Sequence, residues 1–97
     1  MSATPTLLAL RRIRPQIMRI AAKYGITLLQ VYGDVAEGVA RPGATVQLLA
    51  HLEPGRGAFD LVGFAQEVQE VSGFPVSAVT ELPGQLDSTD GVGPIDL

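Results

Sequence analysis

The chain of 97 residues contains no cysteine, no tryptophan and a single histidine, His51. The absence of cysteine excludes disulfide bonds, a thiol nucleophile and a zinc site built from thiolates. Runs of apolar residues are only a few residues long, and arginines interrupt the apolar pattern near the start of the chain. We therefore expect neither a signal peptide nor a membrane span, and we predict a cytoplasmic protein.

Acidic residues are absent from the first 30 positions, where five of the seven basic residues lie. A basic first helix could contact nucleic acid or an acidic partner. Cations spread around a helix more often form its solvated face, and no aromatic residues alternate with these. Nucleic acid is therefore not the partner we expect. The composition, 46% hydrophobic and 18% charged, is typical of one small globular domain.

Hydrophobic spacing predicts the elements up to residue 82. Apolar residues at helical spacing predict two helices, over residues 6–13 and 15–24, because Pro15 interrupts the pattern. Gly25 is expected to end the second helix in the left-handed conformation. The further predictions are strands at Ile26–Tyr32, 45–52 and 75–80, a short helix at 35–39 and an amphipathic helix at Ala58–Ser72.

This order of elements predicts an α/β (α+β) fold in which helices cover one face of a small mixed three-stranded sheet. Residues 1–82 are expected to form that domain. Residues 83–97 contain three glycines, two prolines and three aspartates with no helical period. We predict a flexible acidic tail over this last segment.

The stretch from residue 31 to 52, VYGDVAEGVARPGATVQLLAHL, has the spacing of a known motif. The minimal nucleotidyltransferase family, relatives of the DNA polymerase beta palm, reads roughly G-S-x-x-R-G-x-A-x-x-x-S-D-x-D-L-L-V here. Five residues stand where that pattern requires them: Gly33, Gly38, Ala40, Leu48 and Leu49. A Pro-Gly loop followed by FDLVGF at residues 59–64 also resembles the family. The resemblance covers roughly residues 13–80 and implies a polymerase beta-like nucleotidyltransferase core.

The metal-binding positions of that family carry different residues in this chain. The resemblance implies two aspartates on the second strand and one on the third, but these positions hold Thr45, Gln47 and Ser77. Two-metal phosphoryl transfer needs anionic oxygen ligands held close together, which hydroxyl and amide groups do not supply. We therefore assign no catalytic residue and no metal ligand, and we expect no cofactor.

The nucleotide-phosphate position also differs from the family. By resemblance, Gly33 and the residue after it hold a triphosphate at the start of the short helix, where free amides favour an anion. The family's serine is Asp34 in this chain, and its arginine is Glu37. Both carboxylates would repel a phosphate. Asp34 is also a good N-cap residue, so we predict that it caps the short helix.

Other candidate sites have simpler structural interpretations. His51 faces the same way as the lost carboxylates, but a structural or partly exposed histidine is the better interpretation than an acid or base. Asp34, Glu37 and Asp60 could form a makeshift metal site, although helix capping explains the first two. Tyr24 and Tyr32 could be nucleotidylated, but core packing is preferred for both.

Two functional hypotheses follow from the resemblance. The first is an inactive member of the family that acts by binding a protein, either a HEPN-type toxin or a second copy of itself. The alternative is an active nucleotidyltransferase that transfers AMP from ATP to a protein acceptor in a toxin–antitoxin pair, with Mg²⁺ held by an unrecognised ligand set. The substitutions at the metal positions favour the first.

Overall fold

A computed structural model of the protein describes residues 3–82 and 93–97. Those residues form the elements α1 (Leu7–Arg12), α2 (Arg14–Lys23), β1 (Ile26–Tyr32), α3 (Asp34–Glu37), β2 (Val46–Leu52), α4 (Ala58–Ser72), β3 (Val76–Val79) and β4 (Ile95–Asp96). The elements predicted up to residue 82 are all present in the predicted order. Their bounds differ from the predicted ones by at most two residues.

Local residues account for where the first helices begin and end. The Thr6 hydroxyl caps α1 by accepting a hydrogen bond from the Ala9 amide at 3.1 Å. Pro15 lies in the first turn of α2, where its missing N–H leaves no helical hydrogen bond unmade. Gly25 follows α2 with a φ of 73°, which confirms the predicted left-handed helix end.

The sheet has the strand order β3-β2-β1-β4. β1 is antiparallel to both β2 and β4, whereas β3 is parallel to β2, so the sheet is mixed as predicted. Helices α2 and α4 pack against each other and against the sheet. The predicted fold class is therefore confirmed, with one correction: the described sheet has four strands instead of three.

The additional strand, β4, comes from the segment that we predicted to be a flexible tail. Ile95 pairs with Val31 and Asp96 pairs with Gln30, while the side chain of Leu97 is buried in the core. The prediction is wrong for residues 93–97, because a two-residue strand is too short to leave a periodic pattern in the sequence. Residues 83–92 lie outside the described residues.

The core lies between one face of the sheet and the helices. Its largest fully buried side chains include Leu10, Ile17 and Phe64 from the helices and Leu29 and Leu48 from the strands. No buried side-chain nitrogen or oxygen in the described ranges lacks a hydrogen-bond partner. None of the described helices combines the length and apolar character needed to cross a bilayer.

Candidate functional site

The junction between β1 and α3 is formed by Gly33. This residue has a φ of 76° and a ψ of −151°, a conformation that glycine adopts at little cost and other residues avoid. Its carbonyl accepts a hydrogen bond from the Glu37 amide at 3.0 Å, so Gly33 is itself the N-cap of the helix. The prediction that Asp34 is the N-cap is therefore wrong, because the glycine turn starts the helix one residue earlier.

The side chain of Gln47 lies directly against this glycine. Gln47 is the register partner of Tyr32 on the neighbouring strand, which brings its side chain beside residue 33. A Cβ atom on Gly33 would overlap the Gln47 side-chain oxygen. The Gln47 amide thus occupies the space next to the backbone turn at which the resemblance implies a triphosphate.

The three positions at which the resemblance implies metal-binding aspartates face the same side of the sheet. Gln47 and Ser77 are register partners on parallel neighbouring strands, so their side chains are adjacent. Thr45 precedes β2 by one residue and is two residues from Gln47, and it is exposed. Val46 and Leu48, which alternate with them, are fully buried on the opposite face. The fold therefore brings together the positions at which the resemblance implies metal ligands.

The donor set at these positions does not suit the family's cofactors. It consists of two hydroxyl groups and one amide, whereas Mg²⁺ requires carboxylate oxygens to compete with water. In residues 3–82 and 93–97 there is no group of three or more histidine, aspartate or glutamate side chains placed to hold a metal ion. Thr45, Gln47 and Ser77 offer hydrogen bonds to a polar ligand, but not the charge that two-metal chemistry needs.

The side chain of Asp60 forms hydrogen bonds at the start of α4. Its carboxylate accepts hydrogen bonds from the Gly57 amide at 3.0 Å and from Arg56 Nη1 at 3.3 Å. The start of α4 follows the end of β2, whereas α3 lies near the beginning of β2. The alternative interpretation, a metal site formed by Asp34, Glu37 and Asp60, is therefore wrong, because Asp60 lies at the opposite end of the sheet.

The histidine and the two tyrosines stand apart from this site. His51 is exposed and lies four residues beyond Gln47 on β2, roughly 13 Å along the strand. Tyr32 is buried, and burial raises the pKa of its hydroxyl. The Tyr24 hydroxyl donates a hydrogen bond to Glu67, which raises the pKa of that tyrosine. The packing interpretation agrees with the contact of Tyr24 with the core cluster and with the burial of Tyr32.

Sequence reasoning missed the role of the basic helices. The Arg14 guanidinium donates a hydrogen bond to the Leu97 carbonyl at 3.0 Å, and Arg11 donates one to the Asp96 carbonyl at 3.4 Å. Lys23 instead forms an ion pair with Glu67. At least three of the cations at the start of the chain therefore bind the fold itself. Their partners are far away in sequence, so no local pattern indicates these contacts.

Comparison with known proteins supports the fold and the resemblance together. No family model matches the sequence, and no curated protein matches it either. The fold does match a solved structure of a protein described as a candidate minimal nucleotidyltransferase, with a TM-score of 0.71 and 30% sequence identity. The match covers 84% of this chain and 85% of that one.

The mixed sheet with helices on one face, and the site assembled from β1, β2 and β3, define a nucleotidyltransferase-like fold. With the level of identity and the coverage of that match, the chain belongs to the minimal nucleotidyltransferase family.

Proposed function

We propose that this chain is a minimal nucleotidyltransferase that no longer transfers nucleotides and acts by binding another protein, either a HEPN-type toxin or a second copy of itself. The observation that carries the proposal is the position of Gln47. Its amide lies against Gly33, at the turn where an active relative would receive the triphosphate. A nucleotide could enter only if this side chain moved away.

The charges around the turn support the same conclusion. Asp34 and Glu37 are the first and last residues of the four-residue helix that Gly33 caps, and both are exposed. A triphosphate approaching Gly33 would meet two carboxylates, and Thr45, Gln47 and Ser77 would hold no metal ion whose positive charge could offset them. Removing clustered carboxylates also relieves like-charge repulsion in the fold, so the change is compatible with a stable scaffold.

Protein binding is supported by the exposed apolar residues of α4. Phe59 is 94% exposed and Val62 is 55% exposed, one turn apart on the same helix. A phenylalanine left almost entirely in water gains nothing from the fold, and contiguous exposed apolar groups mark interaction surfaces. Phe59 is therefore the residue at which we expect a partner to bind.

Thermal unfolding with and without ATP and Mg²⁺ or Mn²⁺ tests the loss of nucleotide binding. A ligand at about a hundred times its dissociation constant stabilises the folded state by about 2.7 kcal/mol. In a domain of this size that would raise the midpoint by on the order of 10 °C. We expect no rise for this protein at millimolar nucleotide and metal.

A Gln47→Asp/Ser77→Asp variant is the matched control. It restores two carboxylates at adjacent positions outside the core, and it should respond to Mn²⁺ more strongly than the unchanged protein. A clear metal-dependent rise for the unchanged protein would contradict the proposal and favour the alternative, AMP transfer from ATP to a protein acceptor. Protein binding is tested separately, by co-expression with a HEPN-type protein and measurement of the mass of any complex.

A further inference from the structure

One side of α4 forms a continuous exposed strip. Phe59, Val62, Gln66 and Gln69 follow one another at spacings of three and four residues, which places them on the same face of the helix. All four residues are exposed. We call these four residues the α4 strip.

A groove separates the α4 strip from β3. It holds about 300 Å³, and its lining includes Leu61 and Ala65 from the helix and Val76 and Ala78 from the strand. All the residues that line it are apolar or uncharged polar residues. The strip and the groove therefore form one neutral surface in a chain that carries a net charge of −3.

β3 borders this surface and, within residues 3–82 and 93–97, has a neighbouring strand on one side only. The Val46 amide donates to the Pro75 carbonyl at 2.8 Å, so Pro75, Ser77 and Val79 direct their backbone groups towards β2. Val76 and Ala78 alternate with them and direct theirs outwards. The Val76 amide is already bonded there, to the Gln69 side chain at 3.2 Å. The backbone of Ala78 faces the same open edge.

We infer that the occupant of this surface is a second copy of the chain, docked by antiparallel pairing of β3 with β3 so that the two α4 strips face each other. The inference rests on the proposed function and specifies the surface for self-association. An isologous contact places like residues near each other, so charges there would repel. A surface without charges avoids that repulsion between two copies that are both acidic overall.

The other edge of the sheet explains why pairing would stop at two copies. β4 covers β1 there and is only two residues long, a length that offers little backbone to a further strand. Among the described residues β3 is the longer of the two edge strands, so we expect two copies to pair through β3 and close the assembly. The expected product is a dimer with one continuous sheet rather than a fibre.

Sedimentation velocity from micromolar to millimolar protein tests the inference with a matched pair of variants. We expect a concentration-dependent dimer, and we expect Phe59→Asp to weaken it at least about tenfold. Leu8→Asp places the same charge at another exposed apolar position, 62% exposed on α1, and should leave dimerisation unchanged. Because Phe59 is almost fully exposed, its substitution does not threaten folding. A monomer at every concentration, or a dimer that Phe59→Asp leaves intact, would overturn the inference.

Amide hydrogen exchange distinguishes strand pairing from a contact between helices alone. The Ala78 amide should exchange more slowly as protein concentration rises, and Phe59→Asp should remove that protection. A dimer in which Ala78 exchange does not depend on concentration contradicts the paired edge, and open-ended oligomers contradict closure.

The two proposals fail in different ways. If the protein is monomeric and its thermal unfolding midpoint does not change with ATP and metal ions, the inferred dimer is wrong and the proposed loss of nucleotide binding is supported. A dimer whose midpoint rises with ATP and Mn²⁺ supports this surface and overturns the proposed function. If a HEPN-type protein binds the monomer at Phe59 while the chain alone never dimerises, the surface belongs to that partner and the inference of a second copy is wrong.

Discussion

The two edges of the sheet differ in how far other residues of the chain cover them. At the β1 edge, residues from the far end of the sequence add a strand, and Leu97 is buried in the core with 7% of its surface exposed. Arg11 and Arg14 then hold the backbone carbonyls of Asp96 and Leu97. Backbone pairing, a buried side chain and two cations thus close this edge within one chain.

At the β3 edge the described part of the chain supplies no further strand. One side-chain oxygen, from Gln69, meets one outward amide, and the remaining boundary is a neutral groove beside α4. An open edge offers a template for pairing with another chain. One edge therefore contributes to the stability of the domain, while the other is the edge that we propose for association. Substitutions at the two edges should therefore affect different measurements.

The largest effect is expected from breaking the closed edge at its buried residue. Leu97→Ala removes a core side chain and should lower the free energy of unfolding by about 2–4 kcal/mol, because the site cannot fully collapse around the cavity. Chemical denaturation measures the change. Leu8→Ala, at an exposed position, should stay within about 0.5 kcal/mol. Equal effects from the two substitutions would mean that β4 does not hold this edge.

The next effect tests the helix that borders the open edge. Gly63 lies where α4 meets Tyr24, and a Cβ there would be 2.6 Å from the tyrosine ring. Alanine favours a helix over glycine by about 1 kcal/mol. The overlap should still make Gly63→Ala destabilising by about 1–3 kcal/mol.

A double-mutant cycle provides the control for this contact. In a Tyr24→Ala background, Gly63→Ala should become neutral or stabilising, because the ring that it meets has been removed. If Gly63→Ala is equally destabilising with and without Tyr24, the close packing of these two residues does not set the position of α4.

A smaller effect on stability is expected from removing a cation that binds β4 at the closed edge. Arg14→Ala removes the hydrogen bond to the Leu97 carbonyl and should cost roughly 0.5–1.5 kcal/mol in denaturation experiments. Arg12→Ala removes the same charge from a nearby exposed position and should change stability by less than about 0.5 kcal/mol. A matching loss from Arg12→Ala would show that overall charge, and not the contact with β4, explains the result.

The smallest effect concerns pH. Hydrogen bonds from Lys23 and Tyr24 hold the pKa of Glu67 below its ordinary value. A carboxylate with a lowered folded pKa stabilises the fold above its unfolded pKa of about 4.3, and that contribution is lost as pH falls through the folded value. The midpoint of Glu67→Gln should lie below that of the unchanged protein at neutral pH, and the two should converge in acid.

Lys23→Met removes the largest cause of that shift. In a Lys23→Met background, the effect of Glu67→Gln on the midpoint should therefore depend less on pH. A gap between the midpoints that stays constant from neutral pH into acid, with Lys23 present, would contradict the assigned role of Glu67.

Much of the fold could be predicted from local sequence. Pro15 and Gly25 act on their own backbone, so they mark helix boundaries that hold in the structure. The strands β1 and β2 are long enough for their apolar residues to be recognised, and the spacing around Gly33 indicated the family. β4 could not be predicted, because two residues pair only when the edge of β1 is already in place.

The candidate site was predictable in its positions but not in its contacts. Alternation along β2 puts Thr45 and Gln47 on one side of the sheet, and parallel pairing adds Ser77 beside Gln47. That the Gln47 amide packs against Gly33 depends on the register between β1 and β2, which one strand's sequence does not contain. The prediction for Asp34 failed by one residue, because the residue that caps α3 is Gly33.

The sequence by itself determined the helices and strands up to residue 82, the resemblance to the family, and the uncharged character of Thr45, Gln47 and Ser77, because propensity, spacing and residue type are local properties. Only the tertiary structure decided which edge of the sheet is closed, which cations bind the backbone of β4, and that Gln47 lies against the turn at Gly33. Each of these depends on residues far apart in the chain, and their contacts exist only after the strands have taken their register.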